Sequence, residues 1–291
     1  VSIKKTHKIT KAMYLISSAK MSRAKADLDR TRPYFNALQA EIKRIFRTVE
    51  DADSPYIYPD VLPTHPNGVF ACLVITADNG LAGSYNLNVI REAEALLAEH
   101  PATRLFVVGD YGRRYFMQRS IPIETDFRYS AKNPTMEKAR EICNLLLSEF
   151  NAGAVSKIIV IYTDVKNGLE IETRNVRLIP FHKDYFRTHE NEKTVTVPFE
   201  FMPSVSAVLE SIMQSYISGY IYSALVDSFC SEQQARMTAM DGANRNAEKL
   251  LGELSAQYNR VRQSAITMSI TEVSAGAKAQ KQNSGGKREK Q

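Results

Sequence analysis

The 291-residue sequence has no tryptophan, only three cysteines and no long apolar run, and each shortage removes a class of protein. No stretch approaches the roughly 18–20 consecutive apolar residues of a membrane-spanning helix, so a membrane-spanning role is excluded. Cys72, Cys143 and Cys230 lie far apart without a C-x-x-C, which leaves neither a zinc knuckle nor a redox pair and favours a reducing cytosol over a disulfide scaffold. With 44% hydrophobic and 24% charged residues, the chain is too apolar to be disordered. The first residues carry lysines but no hydrophobic core or cleavage site of a signal peptide. Proline is missing where it matters most: none falls between Ser204 and Gln280, 77 residues, although eleven precede them.

That proline-free stretch reads as helix. At roughly 1.5 Å per residue it would be ~115 Å long, against a radius of gyration near ~19 Å for a compact domain of this size, so an unbroken helix is expected to protrude. Its second half carries a heptad seam of Met237, Met240, Asn244, Ala247, Leu251, Leu254, Tyr258, Val261, Ala265 and Met268. Asn244 is the polar member and would fix register if buried. The first half, from Val208 to Leu225, is apolar over a wider face that suits packing on a domain. In the N-terminal fifty residues, Met21, Ala24, Leu28, Phe35, Leu38, Ile42, Ile45 and Val49 follow the same stepping, and Pro33 predicts a local kink or 3₁₀ turn. An antiparallel pair of these helices would put Val1 beside residues near 275. Two unrelated amphipathic helices of a bundle remain the alternative.

Charge sharpens the expectation. The net +6 hides +7 in the first 25 residues and +4 in the last fifteen, leaving −5 between. If the two ends meet at one tip they form a basic surface, which suits nucleic acid, an anionic membrane or an acidic protein partner; a solvated helix face is the plainer reading.

Between the helices, Val69–Thr76, Leu105–Gly109 and Lys157–Thr163 are short runs rich in branched residues, separated by helical stretches near Asn86–Glu99 and Thr135–Asn151. The alternation predicts a parallel sheet with crossover helices, and Thr173–Pro180 an edge strand before a polar loop from His182 to Thr196. The expected fold is therefore an α/β insert, Rossmann-like with a mostly parallel sheet, between two long helices forming an antiparallel coiled coil. The expected boundaries are an N-terminal coil helix over 1–55, the insert over 56–203, the long C-terminal helix over 204–276 and a basic flexible tail over 277–291.

Asp78, Asp110 and Asp164 each follow a strand, and carboxylates clustered at the ends of parallel strands suit Mg²⁺, so an α/β enzyme is one candidate function. Asp is also a favoured residue for turns and helix N-caps. No phosphate-binding glycine motif, nucleophile motif or histidine metal spacing accompanies the three acids, so no self-contained active site and no cofactor are expected.

The motifs KITKAM (Lys8–Met13), SSAKM (Ser17–Met21), VITADNGLAGSYN (Val74–Asn86) and above all EQQARMTAMDGANRNAEKLLGELSAQYNRVRQSAITMSITEV (Glu232–Val273) resemble the gamma subunits of F-type ATP synthases over nearly the whole chain. The resemblance implies a rotor shaft without chemistry of its own. Its coiled coil would turn inside a collar of three alpha and three beta subunits, and its α/β foot would stand on the membrane c ring beside epsilon. It implies a peripheral place on the cytoplasmic face of the plasma membrane, with no nucleic acid bound. Carried over by motif, Arg262 and Gln263 would contact acidic loops of beta, where a guanidinium grips carboxylates well, and Met13 and Lys20 would face alpha or beta. Gly80, Gly83 and Tyr85 would contact epsilon or the c ring, as would the His182–Val197 segment. An exposed heptad-flanking charge is the plainer reading of Arg262, and coil core that of Met13. The N-terminus has less leader than the family pattern, and AGAKAQKQNSGGKREKQ extends past its usual end. A cysteine-bearing redox insert is lacking.

Overall fold

The computed structural model describes residues 2–48, 56–57, 68–166, 170–181, 202 and 204–285. They form α1 (Ser2–Thr48), β1 (Phe70–Ile75), α2 (Tyr85–Glu99), β2 (Arg104–Val108), α3 (Asp110–Gln118), α4 (Met136–Asn151), β3 (Lys157–Lys166), β4 (Glu170–Ile179) and α5 (Val205–Gly285). No described helix is long and apolar enough to cross a membrane. The chain divides into two units. One is Tyr14–Ala239; the other joins Val1–Met13 to Met240–Gln291.

The larger unit is built on a four-stranded sheet of order β2-β1-β3-β4. β1 pairs in parallel with β2 (Val74 opposite Val107) and with β3 (Val74 opposite Ile161). β4 returns antiparallel to β3, with Val160 opposite Val176. β1, β2 and the first half of β3 read as nearly unbroken apolar runs because both of their faces are covered, whereas the edge strand β4 mixes polar and apolar residues. Alternate residues point to opposite sides: Ala71, Leu73, Ile75, Ile158 and Val160 enter a core with Ile142 and Leu146 of α4 and Leu209, Ile217 and Ile221 of α5. Cys72, Val74, Val107 and Ile161 enter a second core with Val89 and Ile90 of α2 and Phe116 of α3. Each fully buried aliphatic contributes on the order of 1.5–3 kcal/mol.

Helix α3 is the element that periodicity did not reveal. Its nine residues, DYGRRYFMQ, are too short for a 3.6-residue pattern, and Gly112 argues against helix by propensity. Packing overrides that preference. A Cβ on Gly112 would stand 2.6 Å from Thr76 Oγ1, so only glycine lets α3 sit this close to the end of β1. Thr76 Oγ1 accepts from the Gly112 amide at 3.1 Å and donates to the Val108 carbonyl at 2.8 Å, closing the junction.

Pro33 also behaves differently from expectation. The α-helix runs through it with no 3₁₀ turn. The surroundings offset the lost hydrogen bond: Leu28, Ile42 and Ile45 are buried, and the Phe35 ring lies so close over Gly219 of α5 that a methyl group there would overlap it. The neck of the insert is tied as well. The Phe181 amide donates to the Tyr56 carbonyl at 2.8 Å, and Ile57 and Phe181 form a parallel bridge.

In the smaller unit, α1 and α5 run antiparallel. Thr10 meets Asn244, and His7 Nε2 lies 3.2 Å from Glu248 Oε1. This register puts Ser2 opposite residues near 253, not 275. The length of heptad pattern in α5 had suggested the longer overlap, but side-chain pairing at Asn244 decides the register. Lys278 therefore lies roughly 25 residues, or ~37 Å of helix, beyond the start of α1 and does not meet its lysines, while Lys287, Arg288 and Lys290 lie outside the described residues. Helix α5 continues to Gly285, past the expected limit at 276, because no proline stands between them.

Candidate functional site

The three strand-end carboxylates do not converge on a metal. Asp78 is 4% exposed and accepts from Ser130 Oγ (2.7 Å), the Ala131 amide (3.1 Å) and the Asp110 amide (3.2 Å). Burial alone would raise its carboxyl, but these donors, with Lys132 Nζ at 3.9 Å, hold it below the usual carboxylate range. Asp110 sits exposed in the first turn of α3, and Asp164 pairs with Arg174 at 3.1 Å. Among the described residues no three His, Cys, Asp or Glu side chains are placed to hold a metal ion. The Mg²⁺-enzyme reading is corrected accordingly: Asp78 ties the start of α3 to the loop at 130–131, a structural task.

The loop from Asp78 to Ser84 is held from α5. Arg236 Nη1 lies 2.6 Å from Glu232 Oε1, both side chains about nine-tenths buried, and Arg236 Nη2 donates to the Gly80 carbonyl at 3.2 Å. Burial raises the Glu232 carboxyl and the nearby Arg236 guanidinium opposes that rise. Gly80 is half-buried and Gly83 exposed. Tyr85 is a correction: it is 2% exposed, its hydroxyl donates to the Ile75 carbonyl at 3.4 Å, and burial raises its phenol far above normal. It anchors the loop from inside. The exposed apolar side chain there is Leu81, 67% accessible with φ of 61°, which a run of small residues around it concealed in the sequence.

On the helices, Met13 is half-buried and Lys20 exposed. Arg262 and Gln263 are exposed on the part of α5 that α1 does not reach. The apolar seam continues there uncovered: Leu254, Tyr258, Val261 and Met268 are 49–68% accessible. Such a run of apolar side chains on a helix is a surface awaiting a partner.

A family model described as ATP synthase matches residues 1–280. The ATP synthase gamma chain of Caldanaerobacter subterraneus subsp. tengcongensis is 39% identical over 284 residues, covering 95% of this chain and 96% of its own. That of Ruminiclostridium cellulolyticum is 35% identical over 96% of this chain and 95% of its own. The chain belongs to the ATP synthase gamma chain family. As a gamma chain it is a non-catalytic rotor subunit of an F-type ATP synthase, a membrane-associated complex. Two solved structures share the gamma-chain fold at low identity. The central stalk and c ring of the Tetrahymena thermophila mitochondrial ATP synthase include a chain with a TM-score of 0.58 at 21% identity, covering 81% of this chain and 99% of that one. A chain of the Euglena gracilis enzyme gives 0.54 at 13%, covering 92% and 94%.

Proposed function

We propose that this gamma chain couples ion flow through a membrane c ring to ATP synthesis or hydrolysis on beta subunits. Its α5 would contact three alpha and three beta subunits, and its α/β part the c ring and epsilon, on the cytoplasmic face of the plasma membrane. The observation that carries the reading is the uncovered apolar seam of α5 from Leu254 to Val273, flanked by Arg260 and Arg262. A shaft without a ligand can drive a neighbour through its states only by contacting each state differently. A long helix with apolar and basic side chains displayed unequally around it supplies such contacts. Within this reading Arg262 and Gln263 meet carboxylates of beta, Met13 and Lys20 lie on the opposing helix, and Gly80, Gly83 and Leu81 form part of the foot.

The test is a complex reconstituted with Arg262→Ala. Because the side chain is exposed, folding should be unaffected within about 0.5 kcal/mol. ATP-driven ion pumping per ATP hydrolysed should fall. Pumping and hydrolysis both unchanged would remove Arg262 from the coupling surface.

A further inference from the structure

A cavity of about 350 Å³ opens in the larger unit where α1, α5 and the start of α4 converge. Its size is at the lower end of small-molecule sites, roughly 300–1,000 Å³. Val226 and Phe229 of α5 form the apolar wall, and Lys20 and Arg23 of α1 stand at the mouth. Neither cation closes an ion pair among the described residues, whereas Asp27, the acid on the rim, is already engaged by Arg30 at 3.2 Å. The field at the opening therefore favours an anion.

Inside the cavity the donors are spare. Tyr222 lines it and is only 4% exposed, yet its hydroxyl makes no hydrogen bond among the described residues. Burial, with Asp27 nearby, keeps that phenol protonated and able to donate. Thr135, the N-cap of α4, accepts from the Lys138 amide at 3.3 Å and keeps its own proton for a ligand. The Tyr222 ring is packed away while its hydroxyl faces the open space of the cavity, where a ligand can accept from it.

We propose that this cavity binds a small amphipathic carboxylate, its charged end meeting Arg23, Lys20 and the Tyr222 hydroxyl and its tail lying against Val226 and Phe229. A phosphate fits less well, since a dianion entering this space would lose water for few buried donors and face an apolar wall. Occupancy ties α1, α5 and the start of α4 together. The site thus offers a small-molecule handle on the junction between helices and sheet, and shares Lys20 with the coupling surface proposed above.

The probe is octanoate labelled with ¹³C at its carboxyl, titrated into the full chain by NMR. One saturable site is expected. Tyr222→Phe should weaken it at least about tenfold, as for a hydrogen bond to a charged group, and Arg23→Gln about two- to fivefold, as for an exposed ion pair. Octanol binding as tightly as octanoate, saturation that neither substitution moves, or no saturation at all overturns the proposal. Inorganic phosphate displacing octanoate at equal concentration overturns the amphipathic assignment. Arg23 is exposed, so its variant keeps the test valid if Tyr222→Phe disturbs folding.

Discussion

The Thr10 hydroxyl donates to the side-chain oxygen of Asn244, so the polar position in the seam of α5 meets a polar side chain of α1. A polar pair inside an apolar seam favours this register: sliding α1 a turn one way would oppose Asn244 to Met13 or Tyr14, and a turn the other way would separate His7 from Glu248. Cross-linking checks this. Thr10→Cys with Asn244→Cys should form a disulfide readily under mild oxidation, whereas Ser2→Cys with Ala275→Cys should not. The reverse result would restore the longer overlap.

Asp227 gives a pH dependence. Burial foremost, then the neighbouring Asp164 carboxylate, push its pKa up to about 7, while Arg32 and Arg174 pull the other way. The folded state then holds a proton that the unfolded chain releases near its ordinary ~4, so stability falls as pH rises from about 4 to 7 and levels off above. Asp227→Asn should remove that slope. The variant should gain on the order of 1 kcal/mol over the parent in urea melts at pH 8, with little difference at pH 4. Equal gains at both pH values would detach the effect from titration.

Arg236→Ala should be among the most damaging single changes, about 3–5 kcal/mol, because it strands Glu232 as a buried charge and frees the Gly80 carbonyl. Replacing the pair together, Glu232→Gln with Arg236→Met, should recover most of the loss. Denaturant melts of the three proteins decide. Limited proteolysis adds a second readout, since cleavage at the Leu81 loop should rise in both variants, each lacking the donor to the Gly80 carbonyl, whereas only the single variant leaves Glu232 unpaired.

Gly112→Ala should cost about 1–3 kcal/mol, as overpacking against Thr76 forces α3 away from β1. Thr76→Ser in the same background should restore part of it by removing the Cγ2 methyl that a Cβ at 112 would meet at 2.7 Å. No recovery would place the strain elsewhere.

What the sequence made legible follows from which forces act locally. The strands around Val74, Val107 and Ile161 announced themselves because burial on both faces leaves no polar position within them. The long α5 was visible from the absence of proline, a purely covalent signal. Periodicity could say that α1 and α5 pair but not where, since every heptad step satisfies it equally; the Thr10–Asn244 contact decides register only in three dimensions. Tyr85 misled for a related reason. Its neighbours in the motif are exposed, but a phenol is amphipathic, and which way it turns depended on a space beneath Ile75 that no spacing rule shows. Arg262 and Gln263 were nameable only through family resemblance, because an exposed charge on a helix looks the same whether or not a partner meets it.

The hydrogen bond from Phe181 to Tyr56 also has a mechanical side. It works like a drawstring, cinching the insert where the backbone enters and leaves. Tension applied between residues 56 and 181 loads this bond and the Ile57–Phe181 bridge first, before any strand of the sheet is asked to slide.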